Sequence, residues 1–425
     1  MSEYETLDQI VRYRSYPLMT TAQDLIQQAR DTALDVLRPT QSQIDHGLEL
    51  HRESIVIETY GLGFRAPVDA DALSTARDAG ASPLELQDLS ENMRMTRWTD
   101  DTALREEYRQ AWEASGVTCI LQNAGEEGNA PERLIKRLAR YTYVIDTLDD
   151  LLLRASKPRD IIAAKEQDLH CFYMSCNGIP LPGDQVNVEE ELRYIQVFFQ
   201  LGCRMMHLTY NRRNPLGDGC GELSNAGLSD FGRAAIAEMN RTGVIIDVAH
   251  SGQKTSLEAA QASQKPVVAS HSGAWALTPH CRCKNDAVIR AIADTGGLIG
   301  ITNIPAFLGR SGDIAALLDH IDYIADRFGV DYLAIGTDNP YTSAAAIGQK
   351  ISVSAPSRTR WEALWPADDP LFAPEWKKER QKLSMAWTNW PLFTVGLVQR
   401  GYVDEEIRKI IGGNFLRVAQ EAWPD

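Results

Sequence analysis

The strongest constraint on what this 425-residue chain can fold into is a rhythm: eight short, apolar, β-branched runs separated by longer amphipathic stretches. The runs are 54–61 (SIVIETYG), 116–125 (GVTCILQNAG), 168–178 (DLHCFYMSCNG), 202–211 (GCRMMHLTYN), 243–252 (GVIIDVAHSG), 265–273 (KPVVASHSG), 296–305 (GGLIGITNIP) and 331–340 (DYLAIGTDNP). Each has strand length and is nearly continuously apolar. Such runs are buried on both faces, which calls for a parallel sheet covered by helices. The intervening segments carry helical spacing. In FGRAAIAEMNRTG, Phe231, Ala235, Ile236 and Met239 share a face, and Gly243 supplies the stop. Eight such units predict an α/β fold, a closed (β/α)8 barrel of the TIM type. No GxGxxG follows the first run to favour a dinucleotide-binding sheet.

The rest of the chain attaches to that barrel as one domain. Residues 1–53 read as a helical extension packed on the barrel. Residues 54–345 form the barrel itself, with a long polar insertion at 62–115 placed to cover its mouth. Residues 346–425 supply a loop rich in Pro and Trp over 347–380, then helices over 381–400 and 404–422. Charges interrupt the N-terminal sequence before any signal-length apolar stretch develops, and no stretch approaches the roughly 20 apolar residues of a membrane span. The seven cysteines are odd in number, and four sit in or beside strand-like runs, as buried thiols of a reducing compartment do. A formal net charge of -15 without a basic block argues against nucleic-acid and membrane-surface partners. The expected setting is cytoplasmic.

Barrels of this kind carry their chemistry at the C-terminal ends of the strands. Those ends present Glu58, Tyr60, Gln122, Asn123, Asn177, Tyr210, Asn211, His250, His271, Asn303 and Asp338. Two histidines closing successive strands, with an aspartate closing the last, have the donor types to hold a zinc-type cation and deprotonate water. Taken alone, either histidine is better explained as a polar residue that merely satisfies its neighbours; two on adjacent strands, both preceding Ser-Gly, bring the two accounts level. Other motifs are weaker. Cys281-Arg282-Cys283 lacks a second pair at zinc-site spacing, and the glycine-rich 217–221 reads as a plain loop. His46, His51 and His320 fall in helical segments, His170 at the floor of the barrel, and His207 inside the fourth strand with its orientation open. No serine stands in a nucleophile elbow.

Several segments together resemble the membrane (renal) dipeptidase family of metallopeptidases. They are ELRYIQVFFQLGCRMMHLTYNRRNPLGDG, GLSDFGRAAIAEMNRTGVIIDVAHSG, KPVVASHSGAWALTPHCRCKND, DYLAIGTDN and the closing GGNFLRV. The resemblance covers residues 48–425 and implies an amidohydrolase-type barrel, usually with two zinc ions, that cleaves dipeptides and is often a homodimer. It assigns His250 and His271 to one zinc and Asp338 to the metal site and the attacking water. It assigns Arg282 to the substrate carboxylate, a role suited to a planar guanidinium. The departures are as informative. Tyr60 and Leu62 stand where the family's first strand carries the ligands His-x-Asp. Asn177 replaces the bridging glutamate, and Tyr210 the histidine that stabilises the transition state.

The expectation is therefore a hydrolase of a dipeptide or related small amide with a free carboxylate. It would hold at most one divalent metal, zinc or another, on His250, His271 and Asp338. Asp338 would serve as general base, Tyr210 or Asn177 would donate to the oxyanion, and Arg282, Tyr60 and Asn211 would contact the substrate. Two rivals remain: a metal-independent lyase or isomerase acting on an amino-acid-derived metabolite, and a non-catalytic binding homologue.

Overall fold

A computed structural model describes residues 21–125, 130–183, 187–347, 349, 364–366 and 368–423. All eight apolar runs contain a barrel strand: β1 Ile57–Gly61, β2 Cys119–Asn123, β3 His170–Cys176, β4 Cys203–His207, β5 Ile245–Asp247, β6 Val267–Ser272, β7 Leu298–Ile301 and β8 Leu333–Ile335. They pair in parallel in chain order from β1 to β8. Between β8 and β1 the seam is drawn together by Asp338 N–H donating to the Tyr60 carbonyl at 3.1 Å and by the Thr337 hydroxyl donating to Glu58. The fold is a nearly closed (β/α)8 barrel.

Inside the barrel, Ile57, Leu121, Tyr173, Met205, Ile245, Val268, Leu298 and Ala334 form an apolar floor. Because side chains alternate with period two, positions two residues further along face the same interior one step closer to the mouth. There the lining turns polar: Thr59, Asn123, Ser175, His207, Asp247 and Ser270. Gly300 and Gly336 complete this level, and only glycine fits. A Cβ at these positions would lie 1.9 and 2.1 Å from the Ser270 carbonyl oxygen. The same oxygen accepts from the Thr59 hydroxyl at 2.8 Å, so β6 is gripped from both sides where it presents Ser270 and His271. Ladder registers shift between Glu58 and Gly61 and between Ala269 and Ser272, irregularities of the kind that re-aim side chains at barrel rims.

The 62–115 insertion is not a loop over the mouth alone. It holds the short strand Phe64–Arg65 and helices Ala70–Asp78, Pro83–Thr96 and Thr102–Ser115. The last of these leads into β2 through the left-handed Gly116 (φ 62°) and is the barrel's own first crossover helix. Phe64–Arg65 pairs with Tyr341–Thr342 beyond β8, tying the insertion to the rim. N-terminal helices Ala22–Leu37 and Gln41–Glu53 lie against the C-terminal helix Trp390–Arg400, where His51 Nδ1 meets Thr394 Oγ1 at 2.8 Å. The expected helix over 381–400 is two pieces, Glu379–Ser384 and Trp390–Arg400, interrupted because Pro391 can start a helix but not continue one. Residues 1–20 and most of 347–367 lie outside the described residues, and with them the N-terminal reading and much of the expected Pro- and Trp-rich loop. Among the described residues no helix is long and apolar enough to cross a membrane.

Candidate active site

His250 and His271, three residues past β5 and within β6, converge in the mouth with their Nε2 atoms 2.9 Å apart. Their other nitrogens are held. His250 Nδ1 lies 2.7 Å from Asn211 Oδ1, a carbonyl oxygen that can only accept, so His250 carries its proton on Nδ1. His271 Nδ1 lies 2.8 Å from the Ser270 hydroxyl, whose single proton goes to Asp247 Oδ2. His271 must therefore also carry its proton on Nδ1. Both Nε2 atoms are left as lone pairs facing each other, a repulsive arrangement unless a proton or a cation sits between them. Burial, then the charge of Arg282, holds both imidazoles well below the usual histidine range, which disfavours the proton. Two neutral imidazoles with converging lone pairs and fixed outer nitrogens are the donor set of a zinc-type site.

Aromatic rings close this pair on both sides. Tyr60 stacks on His271 (centroids 3.8 Å apart, planes at 18°), and Tyr210 stacks on His250 (4.0 Å, 22°). The Tyr60 hydroxyl donates to Asn177 Oδ1 at 2.6 Å. Tyr60 and Asn177, which the family resemblance sets at ligand positions, thus bond to each other, and Leu62 packs beside the apolar floor. None of the three offers a replacement for the ligand set of a second ion.

Asp338 follows β8 in the left-handed region (φ 59°), an uncommon conformation that turns it away from the strand path. Burial pushes its carboxyl up to about 7, against the lowering charges of Arg282 and Arg65. On β1, Glu58 is raised to about 8, chiefly by burial, although the Thr337 hydroxyl and the Trp387 indole (2.7 Å) donate to it. Arg282 is fully buried. Its guanidinium donates to the carbonyls of Ala249 and, at 3.1 Å, His271, while its Nε has no partner among the described residues. Arg282 in this state braces the two histidine segments from behind. Asn211 also has a buried Nδ2 without a partner among the described residues.

The structure thus brings His250, His271, Tyr60, Tyr210, Asn177, Asn211 and Arg282 into one connected cluster. It does not gather donor atoms of His250, His271 and Asp338 together within 4.8 Å; among the described residues, the group that meets that limit here is His207, Asp247 and His271. Sequence reasoning missed Asp247 and Ser270 and left His207 unassigned. The signal was the period of two: Met205, Ile245 and Val268 face the interior, so the residues two positions on must as well.

A second group of ligand-type residues, His280, Cys281 and Asp369, lies outside the barrel mouth. Here the bonds are complete. His280 Nδ1 accepts from Arg282 N–H at 3.1 Å, so Nε2 carries the proton toward Asp369 Oδ1 at 3.3 Å, and Asp369 also caps Leu371 N–H. Cys283 turns away to the Phe307 carbonyl, so Cys281 and Cys283 do not act as a pair. Four further histidines are also held: His51 and His320 between two partners each, His170 by the Val117 carbonyl, and His46 in a surface pair with Asp404.

Fold and mouth together define a (β/α)8 barrel of the architecture found in amidohydrolases. The profile of the membrane dipeptidase family (Peptidase family M19) matches residues 81–349, and the chain belongs to that family. Among curated relatives it is 26% identical to dipeptidase tcpJ of Claviceps purpurea over 283 residues, covering 65% of this chain and 57% of that one. The chain spans little more than half the length of the curated relatives it matches. Among solved structures it is similar to an amidohydrolase from Pseudomonas aeruginosa, with TM-score 0.65 and 25% identity over 89% of this chain and 99% of the other. The probable dipeptidase PvdM from the same organism shares the fold, with TM-score 0.59 and 20% identity over 90% and 98% of the two chains.

Proposed function

We propose that this chain hydrolyses a dipeptide or a related small amide bearing a free carboxylate, with one divalent cation held by His250 and His271. The observation that carries the reading is the pair of Nε2 lone pairs facing each other at 2.9 Å, each fixed by an outer hydrogen bond. A divalent cation bound there supplies Lewis acidity toward the scissile carbonyl. The residues around it do the rest. Asp338, with a carboxyl raised to about 7, is matched near neutral pH to take a proton from the attacking water and return it to the leaving amine. Asn177, whose Oδ1 is engaged by Tyr60, has its amide N–H groups to donate to the developing oxyanion, with Tyr210 as the alternative donor. Asn211 Nδ2 and Tyr60 contact the substrate. Arg282 supplies the positive field for its carboxylate, a field that already opposes the effect of burial on Asp338 and adds to it on His250 and His271. A direct bidentate grip would require Arg282 to release the Ala249 and His271 carbonyls.

The test titrates zinc or cobalt into chelator-treated protein while following a dipeptide panel. Hydrolysis should depend on the added metal and vanish in His250→Ala and His271→Ala. Turnover of an amino-acid-derived compound that persists without metal and survives both substitutions would replace this reading with a metal-independent lyase or isomerase.

A further inference from the structure

His207 is the one histidine of the barrel interior that the resemblance leaves without a role. It is 1% exposed, and among the described residues neither ring nitrogen has a properly directed hydrogen bond. Its Nε2 lies 2.6 Å from Asp247 Oδ2, close enough for a charge contact but off the axis of a hydrogen bond. A buried Nδ1 without a partner among the described residues, beside an Nε2 held only off-axis, is costly, and ordinary interiors avoid it. The backbone holds the pair in place, because His207 and Asp247 are directly opposite in the β4–β5 register. Asp247 is itself pinned: Oδ1 accepts from Ala249 N–H (2.8 Å) and Ser270 N–H (3.1 Å).

The three imidazoles form a triangle. Ring centres are 4.9 Å apart for His250 and His271, 5.2 Å for His207 and His250, and 5.5 Å for His207 and His271. With zinc–nitrogen distances of about 2.1 Å and tetrahedral angles, imidazoles sharing one ion have ring centres about 5 Å apart. One donor atom each from His207, Asp247 and His271 already lies within 4.8 Å of the others. Asp247 touches His207 directly and reaches His271 through Ser270, so one carboxylate orients two rings, as carboxylates behind metal-bound histidines do.

We propose that His207, oriented by Asp247, is a ligand of the cation that His271 shares, replacing in part the ligands lost from the first and third strands. Asp338 is then free of coordination and available for proton transfer. The proposal rests on the reading that a cation binds at this mouth, and its test separates the two. Cobalt(II) is added to chelator-treated wild type, His207→Gln, His207→Ala, His250→Ala and Asp338→Asn. Bound metal is counted by elemental analysis, the ligand field is read from visible absorption, and folding of the metal-free variants is checked by circular dichroism. Both His207 variants should keep their fold, lose at least tenfold in cobalt affinity, and change the visible spectrum, while Asp338→Asn keeps the wild-type spectrum. Retention of cobalt by His250→Ala but not by His207→Gln would place the ion between His207, Asp247 and His271 and support the proposal. Wild-type affinity and spectrum in His207→Gln would overturn it and leave His207 and Asp247 as a buried ion pair. No cobalt bound by wild type would overturn the cation reading as well.

Discussion

Two groups of ligand-type residues, one in the barrel mouth and one beside it, both offer donors for a metal and differ in their bonds. His280, with Cys281 and Asp369, has an acceptor nitrogen occupied by a backbone N–H and a donor nitrogen aimed at a carboxylate. Nothing is left over, and the group latches the loop that carries Arg282. His250 and His271 spend their donor nitrogens on Asn211 and Ser270 and turn their acceptor nitrogens toward each other. Residue type gathers donors in both places, but only the second leaves lone pairs with nowhere to go. A ligand set is thus recognised by its unfilled valence, after the outer partners have fixed each tautomer.

The comparison can be broken most directly with His271→Ala. Cation affinity should fall by more than about 100-fold and dipeptide hydrolysis should disappear, as expected for loss of a ligand rather than of its outer support. Calorimetric titration with zinc checks the first effect. Wild-type zinc affinity in that variant would mean the mouth is no more a ligand set than the His280 group. Asp338→Asn separates chemistry from coordination: kcat should drop by about 10²–10⁴, the range for a lost general base, with bound metal unchanged.

A satisfied histidine should report through pH instead. His51 bonds to Thr394 and the Ser115 carbonyl, and burial lowers its pKa from 6.5 to about 4. The unfolded chain therefore binds the proton more readily between those values. The stability His51 contributes is fully present above pH 6.5 and is lost as the pH falls toward 4, by about 3 kcal/mol. Urea unfolding of metal-free protein at pH 7 and pH 4.5 should show a loss that His51→Gln reduces; equal pH sensitivity in both proteins would refute the assignment. Asn211→Ala should weaken cation binding by about 10–100-fold by releasing His250 Nδ1, with little change in folding. The smallest effect belongs to His280→Ala. It should cost about 1–3 kcal/mol of stability, read by denaturant unfolding, and leave cation affinity within about twofold of wild type. A lost equivalent of metal in that variant would erase the distinction between the two groups.

Much of this was legible in the residues. The eight apolar runs each contain a barrel strand because a strand buried on both faces can be built from little else. Tyr60, Asn177, Tyr210, Asn211, His250 and His271 could be placed at strand ends because the runs end there. The crossover helix within 62–115 was harder to see, since its polar outer face made the whole segment read as an insertion. His207 stayed ambiguous because one histidine in an apolar run has no local feature that fixes its side; the side follows from the registers of neighbouring strands.

By itself, then, the sequence determined the barrel and the end of it that gathers the polar residues, because these follow from periodicity and residue identity. Only the tertiary structure decided which histidines are satisfied. Asn211 behind His250, Ser270 and Asp247 behind His271, and the Arg282 backbone N–H against His280 come from different points along the chain. Whether a nitrogen is donor, acceptor or unfilled depends on which partner the fold brings within about 3 Å, a distance that no local pattern encodes.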